Sequence, residues 1–152
     1  MVSVERLKEV GIFHGISDDE LEMIAKGVVQ VQEYPAGEVV FTENSESTRL
    51  YIVDSGRVNL DIEAVPDTHL QVASLKRNEV FGWEALVPPY RYTSTARVVA
   101  DSGAIVIDGK VMRKLCETHP DICARVMERV VRIAADQLVA TRQQMFMLLH
   151  SK

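Results

Sequence analysis

YPAGEVVFTENSESTRLYIVDSGRVNL, residues 34–60, is the stretch that decides the fold. Three turn clusters punctuate it, Pro35-Ala36-Gly37, Glu43-Asn44-Ser45 and Asp54-Ser55-Gly56, with only short apolar runs between them. Gly37 and Gly56 stand where a tight turn needs a residue tolerant of positive φ. Asn44 is the next most permissive type for that conformation, and Asn78 stands at a similar turn further on. Val39 and Phe41 alternate weakly with Val40 and Thr42. At the end of the stretch and just beyond it, Val58, Leu60 and Ile62 alternate strictly with Asn59, Asp61 and Glu63, the period of a strand with one buried face.

The same rhythm extends outward. Val65-Pro66-Asp67, Lys76-Arg77-Asn78 and Pro88-Pro89 are further breaks, so the chain from Val28 to about Ile107 reads as short strands joined by turns. That pattern argues for a sandwich or barrel and against βαβ units. A double-stranded β-helix, or jelly roll, closes such strands into two facing sheets with few exposed edges. The fold class is therefore mainly β with flanking helices.

Helices are predicted on both sides. Ser17 and Glu20 form a capping box, and Ile16 and Leu21 flank it as a hydrophobic staple. Leu21, Ile24 and Ala25 continue the helical stripe, and a shorter helix is predicted over Val4 to Val10. Beyond Gly109 the spacing predicts a helix from Val111 to Thr118. His119-Pro120 stops it, and Pro120 suits the first turn of the next. That last helix, residues 121–149, contains no Gly or Pro and is long for a small domain. The chain thus divides into an N-terminal helical segment (1–27), a β-roll (28–110) and C-terminal helices (111–152).

Met127, Val131, Ala134, Leu138, Thr141, Met145 and Leu148 follow alternating steps of four and three, the spacing of a coiled-coil seam. They predict a homodimer through this helix. The other reading of the stripe is that it packs on the chain's own roll. Its early part has a separate set for that purpose in Ile122, Val126, Val130 and Ile133.

Composition narrows the function. The chain has 152 residues, 47% hydrophobic and 26% charged, with a net charge of −5. That is one globular unit with a real core. The acidic balance argues against direct nucleic-acid binding, which needs a basic face. No apolar run is long enough to span a membrane, and MVSVERLKEV lacks the apolar core of a signal peptide, so a cytoplasmic protein is expected. Cys116 and Cys123 fit no metal motif and no disulfide framework, and are expected to be unpaired helix residues. His14, His69, His119 and His150 are not paired at ligand spacing. No nucleophile–base pair or phosphate-cradling glycine loop is present, so neither a metal, a cofactor nor an enzymatic activity is expected.

Residues 34–60 resemble the opening half of a cyclic-nucleotide-binding domain of the catabolite-activator (Crp/Fnr-like) regulators. The pattern there is a Pro-x-Gly turn, two strands, a Glu-Gly turn and an apolar strand ending in Ser-Gly-x-Val. Pro35, Gly37, Glu38, Phe41, Glu43, Tyr51, Ile52, Val53, Ser55, Gly56 and Val58 match it, with Asn44 replacing the turn glycine. GIFHGISDDELEMIA, residues 11–25, is similar to the family's N-terminal helix, and the likeness covers about residues 10–135. The resemblance implies a regulatory sensor that binds a small ligand, a nucleotide in the family, and signals through the long helix.

It also implies where the ligand sits. In the family a Gly-Glu pair opens a short helix and an Arg follows on the next strand. The Glu accepts from a ribose hydroxyl and the Arg forks onto the cyclic phosphate beside helix-start N–H groups. The corresponding segment here is FGWEALVPPYRYTSTARVVA, residues 81–100. Phe81, Gly82, Ala85 and Leu86 match, but Trp83 occupies the glutamate position, with Glu84 one place later. Counting back from Val98-Val99-Ala100 puts the arginine position on Ser94. Hydrogen bonds to charged groups contribute about 1.5–3 kcal/mol each. Losing both weakens nucleotide binding by about 10²- to 10⁴-fold.

Arg91 and Arg97 are the candidates to replace the missing cation, and either could instead pair with Glu84 and fill the pocket. Trp83 is read as a stacking face or a core anchor, Tyr90 and Tyr92 as stacking faces or surface aromatics. Thr93, Ser94 and Thr95 offer hydroxyls. The candidate ligand-binding set is Phe81, Gly82, Trp83, Glu84, Ala85, Leu86, Arg91, Thr93, Ser94 and Thr95. Two alternatives stay open: a ligand-free dimerisation or docking module, and the effector domain of a transcription regulator whose DNA-binding part lies outside this sequence.

Overall fold

The turns behave as their chemistry dictates in the computed structural model, which describes residues 2–150. Gly37 (φ 91°), Gly56 (84°), Asn44 (69°) and Asn78 (75°) all adopt the left-handed backbone. Between them run eight strands: β1 (Val28–Tyr34), β2 (Val39–Phe41), β3 (Arg49–Ser55), β4 (Val58–Val65), β5 (Thr68–Leu75), β6 (Val80–Phe81), β7 (Thr95–Val98) and β8 (Ser102–Asp108). They pair antiparallel in two four-stranded sheets, ordered β1-β8-β3-β6 and β2-β7-β4-β5. This is the expected jelly roll.

The two sheets differ in a way their sequences explain. In the first, Tyr51 and Val53 of β3, with Ala104 and Val106 of β8, face the second sheet. The alternate residues Leu50, Ile52, Ile105 and Ile107 face the helices. Burial on both sides demands unbroken apolar runs, and Leu50–Val53 and Ala104–Ile107 are such runs. In the second sheet one face meets solvent, so β4 alternates as predicted: Val58 and Leu60 are buried while Asn59 and Asp61 are half-buried.

The N-terminal helices, the first C-terminal helix and the start of the long last one cover the outer face of the first sheet, and the last helix also runs against β5 of the second sheet. α1 (Val4–Lys8), a 3-10 turn (Gly11–Phe13) and α2 (Asp18–Ala25) precede the roll, and the Ser17–Glu20 capping box is formed. α3 (Gly109–Thr118) starts two residues before the predicted Val111, because the Asp108 side chain accepts from Lys110 N at 2.7 Å and caps the helix there. α4 (Pro120–Leu149) has 30 residues, with Pro120 in its first turn. Among the described residues no helix is long and apolar enough to cross a membrane, and no His/Cys/Asp/Glu group is arranged to hold a metal ion.

On α4, Ile122, Val126 and Val130 are buried and Ile133 packs against the same cluster. Burial ends there. The predicted seam divides: Val131, Leu138, Met145 and Leu148 are exposed, while Met127, Ala134 and Thr141 are half-buried. Met127 packs on the chain's own helical cluster.

The expectation for the cysteines is corrected. Cys116 and Cys123 form a disulfide with Cα atoms 4.7 Å apart. Pro120 ends one helix and starts another, and the last turn of α3 folds against the first of α4. That corner brings together residues seven apart in sequence, which no helical or strand spacing would pair.

Candidate ligand-binding site

The cassette begins at a forced turn. Gly82 has φ 74°, and a Cβ there would lie 2.9 Å from the Arg49 carbonyl and 2.9 Å from Tyr51 Cδ1. The chain then makes one 3-10 turn, Trp83–Leu86, whose Glu84, Ala85 and Leu86 are buried.

Glu84 is only 3% exposed. Its Oε2 accepts from Thr93 N at 2.8 Å and from the Thr93 hydroxyl. Its Oε1 is buried with no hydrogen-bond partner among the described residues. The alternative in which Arg91 or Arg97 pairs with Glu84 is therefore not realised. Arg91 Nη1 donates to the Asn44 carbonyl at 3.0 Å and Arg97 Nη1 to the Gly37 carbonyl at 3.4 Å, both on the exposed surface. Strand alternation explains Arg97. Ala96 and Val98 face inward, so the residue between them faces out.

The same alternation runs back through Ser94, which is buried, to Tyr92. Tyr92 is a core residue and not a surface aromatic. Its ring stacks on Phe41 with centroids 3.6 Å apart and planes 6° apart, and its hydroxyl donates to the Arg49 carbonyl at 3.0 Å. Phe41, Phe81 and Tyr51 continue the aromatic cluster, with Tyr51 and Phe81 at 5.0 Å. Burial, followed by the neighbouring Tyr92 and Tyr34 hydroxyls, pushes the Tyr51 phenol well above its ordinary range. Burial raises Tyr92 and Tyr34 as well. All three are neutral hydrogen-bonding groups near neutral pH.

Trp83 is half-buried. It packs against the helical cluster, and its indole Nε1 donates to Gln137 Oε1 on α4 at 3.4 Å. Arg113 of α3 donates to the Ala85 carbonyl at 3.1 Å and lies over the Tyr90 ring, 4.3 Å from its centroid. The cassette is thus tied to both C-terminal helices. Neither Gln137 nor Arg113 carried a sequence signal, because helical spacing does not show what a helix touches. The period-two spacing of Tyr92, Ser94, Ala96 and Val98 is the signal that would have placed Tyr92 and Ser94 on the buried face.

The candidate residues do not gather at one place. Arg91, Thr93 and Thr95 line a cleft of about 640 Å³ together with Tyr92, Glu43, Glu63 and His69. Phe81, Ala85 and Ser94 are interior, and Trp83 faces α4. Within the cleft wall Glu43 accepts from Glu63 N at 3.0 Å, and His69 lies 3.7 Å from the Glu63 carboxylate. Two cationic or ionisable basic groups thus face two carboxylates. The lining can hydrogen-bond a polar molecule, and it has no excess of positive charge for an anion.

Comparison with known proteins accords with this architecture. The family model for the cyclic nucleotide-binding domain matches residues 17–119. The "CRP-like cAMP-activated global transcriptional regulator" of Mycobacterium tuberculosis is 26% identical over 141 residues, 93% of this chain and 61% of that protein. The chain therefore spans about three-fifths of that relative's length. A solved chain from Geobacter metallireducens, named for cyclic nucleotide binding, is 27% identical with a TM-score of 0.75, covering 95% of this chain and 99% of that one. The catabolite activator protein of Thermus thermophilus shares the fold at 21% identity and TM-score 0.73, over 89% of this chain and 63% of that one. With its two-sheet roll, its flanking helices and a family match over most of its length, the chain belongs to the cyclic nucleotide-binding domain family.

Proposed function

We propose that this chain is a regulatory sensor module that reads a small, hydroxyl-bearing, weakly charged ligand at its cassette and signals through paired α4 helices. The observation that carries this reading is Glu84. A carboxylate oxygen buried without a donor is costly. Glu84 lies behind Thr93, which lines the cleft, and a ligand hydroxyl would supply the donor once the cassette opens at Thr93. The surface positions of Arg91 and Arg97 favour a ligand without a phosphodiester. The Trp83–Gln137 and Arg113–Ala85 hydrogen bonds offer the route by which occupancy shifts the packing of α3 and α4. The exposed Val131, Leu138 and Met145 support α4 as the surface on which two copies meet.

Calorimetric titration with adenosine, cyclic AMP, cyclic GMP and cyclic di-GMP, with Trp83 fluorescence in parallel, tests the ligand class. The cyclic nucleotides are expected to bind at about millimolar or weaker, after the loss of about 10²–10⁴ in affinity. Adenosine is expected to bind at least as well as cyclic AMP. Micromolar cyclic AMP binding, abolished by Arg91→Ala, would overturn the weakly charged ligand and return the phosphate role to Arg91. A second reading, a docking module without a ligand, is favoured by the Phe41–Tyr92 stack that fills the roll beneath the cassette. It predicts no heat and unchanged fluorescence with every compound.

A further inference from the structure

The Cys116–Cys123 disulfide lies in the wall of a second cleft, of about 590 Å³, separate from the cleft at Arg91. Both cysteines are half-exposed. Lys110, Arg113 and Lys114 of α3 line the same cleft, with Glu117 as their one acidic neighbour there. Three cations against one carboxylate is a local reversal in a chain of net charge −5. Such a field attracts an incoming anion and stabilises a departing thiolate, which are the two electrostatic demands of thiol–disulfide exchange.

We propose that Cys116–Cys123 is a reversible thiol–disulfide exchange site that takes a carboxylate-bearing low-molecular-weight thiol. In the first step the thiolate of that molecule attacks one cysteine sulfur. A mixed disulfide forms, the protein S–S bond breaks, and the other cysteine leaves as a thiolate that takes up a proton. A second molecule of the thiol attacks the mixed disulfide, freeing the first cysteine and releasing the oxidised small-molecule disulfide. Two thiols supply the two electrons, and the reverse sequence restores the bridge.

The site is placed to matter structurally. The disulfide clamps the His119-Pro120 corner between α3, whose Arg113 holds the Ala85 carbonyl and covers Tyr90, and α4, whose Gln137 accepts from Trp83. Reduction removes the covalent tie between the two helices that touch the cassette. The inference rests on the cysteine pair and the basic cleft, so it stands or falls independently of what the cassette binds.

The test uses the full chain purified without reductant, quenched by alkylation and weighed by intact-mass spectrometry. No alkylated cysteine is expected at the start, two after treatment with reduced glutathione, and none again after oxidised glutathione. Two free thiols that oxidised glutathione leaves unjoined would overturn the site. The rate of reduction by glutathione is then compared with that by neutral 2-mercaptoethanol. In a Lys110→Gln/Lys114→Gln variant the ratio of the two rates is expected to fall about three- to tenfold. An unchanged ratio would overturn the role of the cleft. Amide exchange over residues 109–123 is expected to rise on reduction, and no rise would overturn the clamp.

Discussion

Tyr92 separates packing from hydrogen bonding at the cassette. Its ring fills space between the two sheets against Phe41, while its hydroxyl makes one bond to the Arg49 carbonyl. Tyr92→Phe keeps the ring and is expected to cost about 1 kcal/mol. Tyr92→Ala opens a cavity in the aromatic cluster and is expected to cost about 3–5 kcal/mol. Urea denaturation of the two variants measures both, and equal losses would show that the hydroxyl outweighs the packing. The buried phenols also set an alkaline limit. Folded-state values for Tyr34, Tyr51 and Tyr92 are raised, so the stabilisation they confer is full below about pH 10, where the unfolded chain's tyrosines begin to ionise, and falls as pH rises further. Phenolate absorbance from these residues is therefore expected to appear together with loss of far-ultraviolet circular dichroism. Tyr51→Phe is expected to move that transition to higher pH.

At the scale of elements, turns and strands obey local rules that single substitutions expose. Gly56 joins β3 to β4 at φ 84°, and a Cβ there would meet the Ser102 hydroxyl and lie 2.6 Å from the Asp101 carbonyl oxygen. Gly56→Ala adds backbone strain to overpacking and is expected to cost about 2–4 kcal/mol by chemical denaturation. Asn44→Gly, at a turn of the same handedness, is expected to change stability by less than about 1 kcal/mol. Strand patterns were legible for the same local reason. β4 alternates because one face meets water, and β3 and β8 read as apolar runs because both faces are covered. α3 starts two residues before the Val111 that spacing predicts, because Asp108 acts as both the last strand residue and the helix cap.

For the whole molecule, α4 is the element that decides assembly in the proposed reading. Its buried residues stop at Val130, about 30 Å short of its end at 1.5 Å rise per residue. The remainder carries exposed Leu138, Val139, Met145 and Phe146. A helix so placed gains stability when a second copy covers it, and the melting temperature is then expected to rise with protein concentration. Leu138→Glu is expected to convert a dimer to a monomer in sedimentation equilibrium and to abolish that dependence. A wild-type chain that sediments as a monomer at all accessible concentrations would sink the seam. The half-buried Met127 already belongs to the chain's own core, so the pairing surface is expected to begin at Val131.

What the sequence determined by itself was everything governed by neighbours along the chain. Turn residues tolerant of positive φ, the Ser17–Glu20 capping box, the alternation of β4 and the break at Pro120 specify the elements and their order, and with them the jelly roll. Only the tertiary structure decided which groups meet from distant parts of the chain. It joined Glu84 to Thr93 and sent Arg91 to the Asn44 carbonyl. It also tied Trp83 to Gln137 and closed Cys116 on Cys123 across a corner. Periodicity reports which face of an element is buried. It carries no information about what lies on the other side of that interface, and the chemistry of this cassette is made of such cross-element contacts.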